Sequence, residues 1–182
     1  MSASAQGAAE QRVLLRGEVR KLRKSRRDRR PASHPARSAY PGVVLRIRAD
    51  LVEAMVAHAR ADHPDEACGV IAGPEGSDRP ERFIPMVNAA RSPTFYEFDS
   101  ADLLRLYREM EDLGEEPVVI YHSHTATEAY PSRTDISYAS EPAAHYVLVS
   151  TREHGGEPGP TEVRSFRIVD GEVMEEPIEI VA

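Results

Sequence analysis

The sequence predicts a single-domain α/β fold, a mixed β-sheet with helices packed against it. Three observations lead there. Short apolar runs at 67–72, 118–121 and 145–150 have the length and continuity of strands buried on both faces. The segments 49–61 and 100–113 carry their apolar residues at helical spacing instead. A 41% hydrophobic content over 182 residues supports one well-buried core.

The elements follow in order. Residues 1–42 read as a basic, disordered tail, because Arg20 to Arg30 is a charge block followed by Pro31, Pro35 and Pro41. Leu14, Leu15, Val19 and Leu22 offer the alternative of a short amphipathic helix suited to a membrane surface or RNA. A third reading is a start codon placed too far upstream, with the domain, 43–182, beginning near Val43. Residues 43–48 alternate as a strand. Ala49 to Ala61 is a helix with Leu51, Met55 and Val56 on one face, ending before Pro64. Ala67 to Ala72 is a strand closed by Gly73-Pro74. Glu81 to Val87 and Thr94 to Phe98 are two more strands around a polar turn. Asp99 or Ser100 caps a second helix that stops at Gly114. Pro117 to His124 is a buried central strand, Ser132 to Ser140 a short helix, and 145–150 another buried strand. Gly155 to Pro160 is a loop, and 163–169 pairs with 173–180 across Asp170-Gly171.

Charge narrows the function classes. Residues 1–42 carry eleven Lys/Arg against three Asp/Glu, and the remaining 140 carry twelve against twenty-seven. So acidic a body repels phosphate, which argues against nucleic acid and towards a protein partner. No apolar run reaches the length of a membrane span, no apolar segment follows the basic N-terminus as in a secretory signal, and Cys68 is the sole cysteine. No membrane partner and a cytoplasmic protein without disulfides or a cysteine-based zinc finger are expected.

The chemistry concentrates in Tyr121-His122-Ser123-His124 and Ser132-Arg133-Thr134-Asp135. Residues two apart on a strand share a face, roughly 7 Å apart along the chain, so His122 and His124 can aim both imidazoles at one point. The loop between is long enough to return the chain, letting Asp135 add a carboxylate. Two His and one Asp leave zinc its fourth tetrahedral position for water, the pattern of a catalytic rather than a structural site. Zinc brings the pKa of water to about 7, and a base is still needed. Glu66, just ahead of a buried strand, is the candidate, with Asp65 its rival. The Ser132 hydroxyl is placed to donate to an oxyanion. Taken singly, each has a plainer reading: His-x-His is a weak signal, and Ser132 to Asp135 also reads as a helix-capping box. His58, His63, His145 and His154 are read as ordinary surface or core histidines, and Cys68 as a small buried hydrophobe.

At these residues the sequence resembles the JAMM/MPN (Mov34) zinc metalloprotease family. Its pattern is a glutamate before a strand, then His-x-His, seven residues, Ser, two residues, Asp, and the spacing from His122 through Asp135 meets it. The resemblance covers about 43–181. It implies the cytidine-deaminase-like MPN/JAMM fold, zinc on His122, His124 and Asp135, Glu66 as general base and Ser132 as oxyanion or water-orienting group. Ala49 to Ala72, SDRPERFIPMVNAARSPTFYEFDS and YHSHTATEAYPSRTD are moreover similar to the Mec-type members of actinobacteria. That likeness implies hydrolysis of the amide between the C-terminal glycine of a ubiquitin-like, β-grasp sulfur-carrier protein and cysteine, a step of cysteine biosynthesis. The alternatives are a broader isopeptidase on other ubiquitin-like conjugates and a non-catalytic MPN scaffold.

Overall fold

The structure, a computed structural model, describes residues 44–154, 157–158 and 161–182. The tail readings, including the Leu14–Leu22 helix and the basic block, lie outside the described residues. Among the described residues, ten strands and three helices follow one another as β1 (Leu45–Arg48), α1 (Ala49–Asp62), β2 (Cys68–Pro74), β3 (Arg82–Met86), α2 (Ser100–Leu113), β4 (Glu115–His124), α3 (Arg133–Tyr138), β5 (His145–Ser150), β6 (Glu153–His154), β7 (Glu157–Pro158), β8 (Glu162–Val169), β9 (Glu172–Glu176) and β10 (Ile178–Val181).

Six strands form one sheet in the order β3-β2-β4-β5-β8-β9. Only β4 and β5 run parallel, His122 opposite Leu148 and His124 opposite Ser150. The other neighbours are antiparallel, so the sheet is mixed as expected. On one face, Ile71, Val119, Tyr121, Val147 and Val149 pack against Leu51, Met55 and Ala59 of α1 and against β1. On the other, Cys68, Val70 and Ala72 meet Leu106 and Met110 of α2, while Ile120, Leu148 and Phe166 meet Ile136 of α3. The central strands are therefore covered on both sides, which is why their sequences are uninterrupted apolar runs.

Local chemistry sets the ends. Asp99 accepts hydrogen bonds from the backbone N–H groups of Ala101 and Asp102, and Gly114, at φ 67°, closes α2 in the left-handed conformation. Gly69 is required for a different reason: a Cβ there would lie 2.5 Å from the Tyr121 ring and 2.6 Å from the Ile84 carbonyl.

Three expectations are corrected. Thr94 to Phe98 is not a strand. Its strand-type pairings are the single bridges Asn88–Phe98 and Ser92–Phe95, and the backbone there bonds to the Asn88 side chain instead. The stretch 173–180 is not one strand either. Pro177 has no N–H to continue the ladder with β8, and Ile178–Val181 crosses to pair in parallel with Leu45–Arg48. The stretch 155–160 contains Glu157–Pro158, a two-residue strand against Glu153–His154.

A buried polar cluster ties the far end of the sheet together. Arg167 donates to His145 Nε2 at 2.8 Å, so His145 Nδ1 carries the hydrogen given to Glu176, at 2.5 Å. Ser165 and Arg167 also donate to Glu176. Burial acts to raise the Glu176 pKa, but these donors outweigh it and hold the carboxyl below its ordinary value. A depressed carboxyl stabilises the fold fully above its unfolded pKa, about 4.3, and the contribution fades as pH falls through the folded value. Glu176→Gln is expected to cost about 1–3 kcal/mol at pH 7, and thermal melts should show the variant losing less stability than the parent below about pH 4.

Candidate metal centre

β4 delivers the two histidines. Residues 120, 122 and 124 face the α2/α3 side of the sheet, and His122 and His124 are both buried. The chain then loops through 125–131 and returns at Ser132, which caps α3. Asp135 N–H donates to Ser132 Oγ at 3.2 Å, and Ser132 N–H donates to Asp135 Oδ2 at 2.7 Å. The capping box foreseen as the plainer reading is therefore present, and it aims the Asp135 carboxylate. Ser132 is exposed and its hydroxyl accepts this bond, leaving its own hydrogen available.

Three donor atoms converge. His122 Nε2 and His124 Nε2 lie 3.2 Å apart, and each is 3.4 Å from Asp135 Oδ2. A tetrahedral ion with bonds of about 2.0–2.1 Å has ligand–ligand edges of about 3.3–3.4 Å. The triangle has the dimensions of one face of that tetrahedron. Tautomer chemistry agrees. His124 Nδ1 donates to the Glu128 carbonyl at 2.9 Å, with Thr127 Oγ1 at 3.1 Å, so His124 Nε2 presents a lone pair. A lone pair facing a carboxylate at this distance calls for a cation. His122 is held otherwise. Its Nδ1 is buried without a hydrogen-bond partner, and the ring is kept in plane by Tyr96, stacked at 4.5 Å.

Charge follows from this geometry. Burial pushes the His122 pKa down. Burial has the same tendency at His124, but the Asp135 carboxylate and the Glu128 carbonyl favour the protonated ring, prevail and raise it. Burial alone would raise Asp135, yet His122, His124 and Ser132 hold it far below the carboxylate range.

Glu66 enters from β2's leading end. It is buried, its pKa pushed up to about 7 by desolvation against the opposing field of His124. Its rival Asp65 sits in the turn after α1, half-buried, with its N–H on the Asp62 carbonyl. Sequence reasoning missed what fixes Glu66. Its N–H donates to the Ser92 carbonyl, and its carbonyl accepts from Asn88 Nδ2, each at 2.9 Å. Asn88 also donates to Phe95 O and accepts from Ala90 and Glu97 N–H, so its amide is fully used. Next door, Ala67 N–H donates to Ser123 Oγ at 2.8 Å, and Ser123 N–H to the Ala67 carbonyl. The residue between the two histidines thus locks the strand that carries the glutamate. Nothing in the spacing of these residues reveals such contacts, which join positions 22 and 56 apart. Asn88→Ala is expected to keep bound metal while lowering kcat about ten- to hundredfold, since a shift of about 1 Å at the reacting groups suffices. Elemental analysis beside steady-state kinetics checks it.

The sequence profile of the prokaryotic homologues of the JAB domain matches residues 48–169. This chain belongs to that family. It is the JAMM/MPN family of the motif, and the chain is accordingly a hydrolase. Over 138 residues it is 72% identical to the CysO-cysteine peptidase of Mycobacterium tuberculosis, covering 76% of this chain and 92% of that one. A desampylase of Haloferax volcanii is 33% identical over 111 residues, 58% of this chain and 80% of the relative. A solution structure of a protein from Desulfitobacterium hafniense superposes with a TM-score of 0.63 at 33% identity, covering 75% of this chain and 92% of that one. Among the described residues, no helix is long and apolar enough to cross a membrane.

Proposed function

We propose that this hydrolase releases cysteine from the C-terminal glycine of a ubiquitin-like sulfur-carrier protein, with zinc held by His122, His124 and Asp135. The chemistry is carried by one observation: two imidazole nitrogens and a carboxylate oxygen with tetrahedral-edge spacing beside a buried glutamate. The substrate reading is supported by the likeness to the CysO-cysteine peptidase over most of the chain. When bound, zinc supplies Lewis acidity that makes water nucleophilic near neutral pH. Glu66, with a pKa of about 7, takes the proton of the attacking water. As the glycyl carbon–nitrogen bond breaks, Glu66 returns that proton to the departing amine. The Ser132 hydroxyl donates to the carbonyl oxygen as it gains charge. The products are a carrier ending in a glycine carboxylate and free cysteine. The cytoplasm is the proposed compartment.

Incubating the purified carrier–cysteine adduct with the enzyme should remove the mass of one cysteine residue from the carrier. An adduct left intact by zinc-loaded enzyme would refute the substrate. The proposed domain boundary near Val43 makes a second expectation. Removing residues 1–42 should leave zinc content and turnover unchanged, because the site lies between Glu66 and Asp135. Failure to fold or to hold zinc would refute that boundary. Any effect of the tail should be on association with an acidic carrier, and should shrink as salt rises.

A further inference from the structure

The leaving group proposed above is a whole amino acid, and its α-carboxylate is free. That carboxylate lies about 2.5 Å beyond the nitrogen being released. It must enter a site that already holds Glu66 and Asp135, on a body with twelve cationic side chains against twenty-seven acidic ones after residue 42. A local cation is therefore needed. No lysine follows Lys24, so within 43–182 the permanently charged cationic side chains are all arginines.

Among the described residues, most arginines are committed. Eight sit in ion pairs with Asp or Glu, and Arg60 donates to Thr161. Among the described residues, Arg91, Arg108 and Arg133 form no ion pair with Asp or Glu. Arg108 lies on the exposed side of α2, away from the sheet. Arg133 follows Ser132, on the side proposed for the oxyanion. Arg91 precedes Ser92, whose carbonyl holds the Glu66 N–H. Glu66 hands its proton to the departing nitrogen, so the amino acid leaves beside Glu66 and beside this loop.

The loop is fixed on both sides of Arg91. Arg91 N–H donates to the Asn88 carbonyl, and Thr125 Oγ1 donates to the Pro93 carbonyl at 2.9 Å. Arg91 also sits at φ 42°, in the left-handed region where glycine would be less strained. Arg91 is thus an exposed cation held in an uncommon backbone conformation on the loop whose Ser92 carbonyl fixes Glu66.

We propose that Arg91 binds the free α-carboxylate of the departing amino acid and restricts the enzyme to the last residue of its carrier. Its planar fork pairs both carboxylate oxygens at once. An isopeptide, whose leaving amine belongs to a lysine side chain, has no carboxylate at that distance. The inference rests on the function proposed above.

Two adducts test it, one carrier ending in cysteine and the same carrier ending in cysteine amide. The zinc-loaded enzyme should favour the acid in kcat/KM by roughly ten- to a hundredfold, the range of a charge-assisted contact. Arg91→Gln should lose that factor on the acid and keep the parent rate on the amide, which also reports that the variant is folded. Arg91→Lys should recover part of the preference, as a point charge without the fork. Arg133→Gln should leave the ratio as it was. Equal cleavage of acid and amide by the parent overturns Arg91's role while the proposed function stands. So does loss of the preference in Arg133→Gln and not in Arg91→Gln. Cleavage of neither adduct removes the proposed function, and this inference with it.

Discussion

Glu66→Gln is expected to keep its zinc and lose between about a hundredfold and ten-thousandfold in kcat, the usual weight of a positioned general base. The separation of the two readouts comes from the structure. Glu66 is not one of the three converging donors, which are His122 Nε2, His124 Nε2 and Asp135 Oδ2. Gln keeps the shape of Glu and leaves the backbone bonds to Asn88 and Ser92 intact, but an amide cannot accept and return a proton. Burial raises the Glu66 pKa to about 7, and a nearby cation opposes that rise. In the zinc enzyme the acid limb of kcat/KM should therefore fall at or below pH 7. The base must be ionised to take the water's proton, so activity rises with pH through that limb. The variant should lose the limb as well as the rate. If Glu66→Gln stays fully active while Asp65→Asn is dead, the wrong carboxylate has been assigned.

Much of this was legible in the sequence because period and punctuation are local. The runs at 118–121 and 145–150 are buried strands for the reason their composition indicates, helices on both faces. Asp99 and Gly114 mark the ends of α2 through contacts within one turn. The motif, too, places its residues by local rules: strand alternation for His122 and His124, and a capping box for Asp135. What the sequence does not carry is contact across the chain. The loop 88–98 has the composition of a strand at 94–98, yet Asn88 draws its backbone into side-chain bonds instead. The pairing of β1 with β10 joins residues 133 apart and leaves no periodic trace. Ser123 sits in plain view between two ligand candidates, and its bond to Ala67 becomes visible only once β2 and β4 are adjacent.

Removing a donor from the triangle should cost the metal itself. His122→Ala is expected to abolish stoichiometric zinc and all turnover, because two remaining protein ligands leave a catalytic site one short of the usual three. His124→Ala should do the same and also free the Glu128 carbonyl, loosening the loop that leads to Ser132. Asp135 is the sharpest test, since it has two duties. Its carboxylate faces both imidazoles, and the same Oδ2 accepts the Ser132 N–H that starts α3. Asp135→Ala removes charge and cap together, and an N-cap contact alone is worth about 1 kcal/mol. Asp135→Asn keeps an amide oxygen able to accept that N–H while removing the negative charge. If the carboxylate is a ligand, the Asn variant should lose zinc yet melt close to the metal-free parent. If it serves only the helix, the Asn variant should keep zinc. Binding that occurs in the folded state alone stabilises that state, by about 4 kcal/mol at a thousandfold excess over Kd. Chelation should thus lower the melting temperature of the parent and leave the His122→Ala variant unmoved. Full zinc occupancy in a His122→Ala, His124→Ala double variant, measured by elemental analysis, would end the assignment.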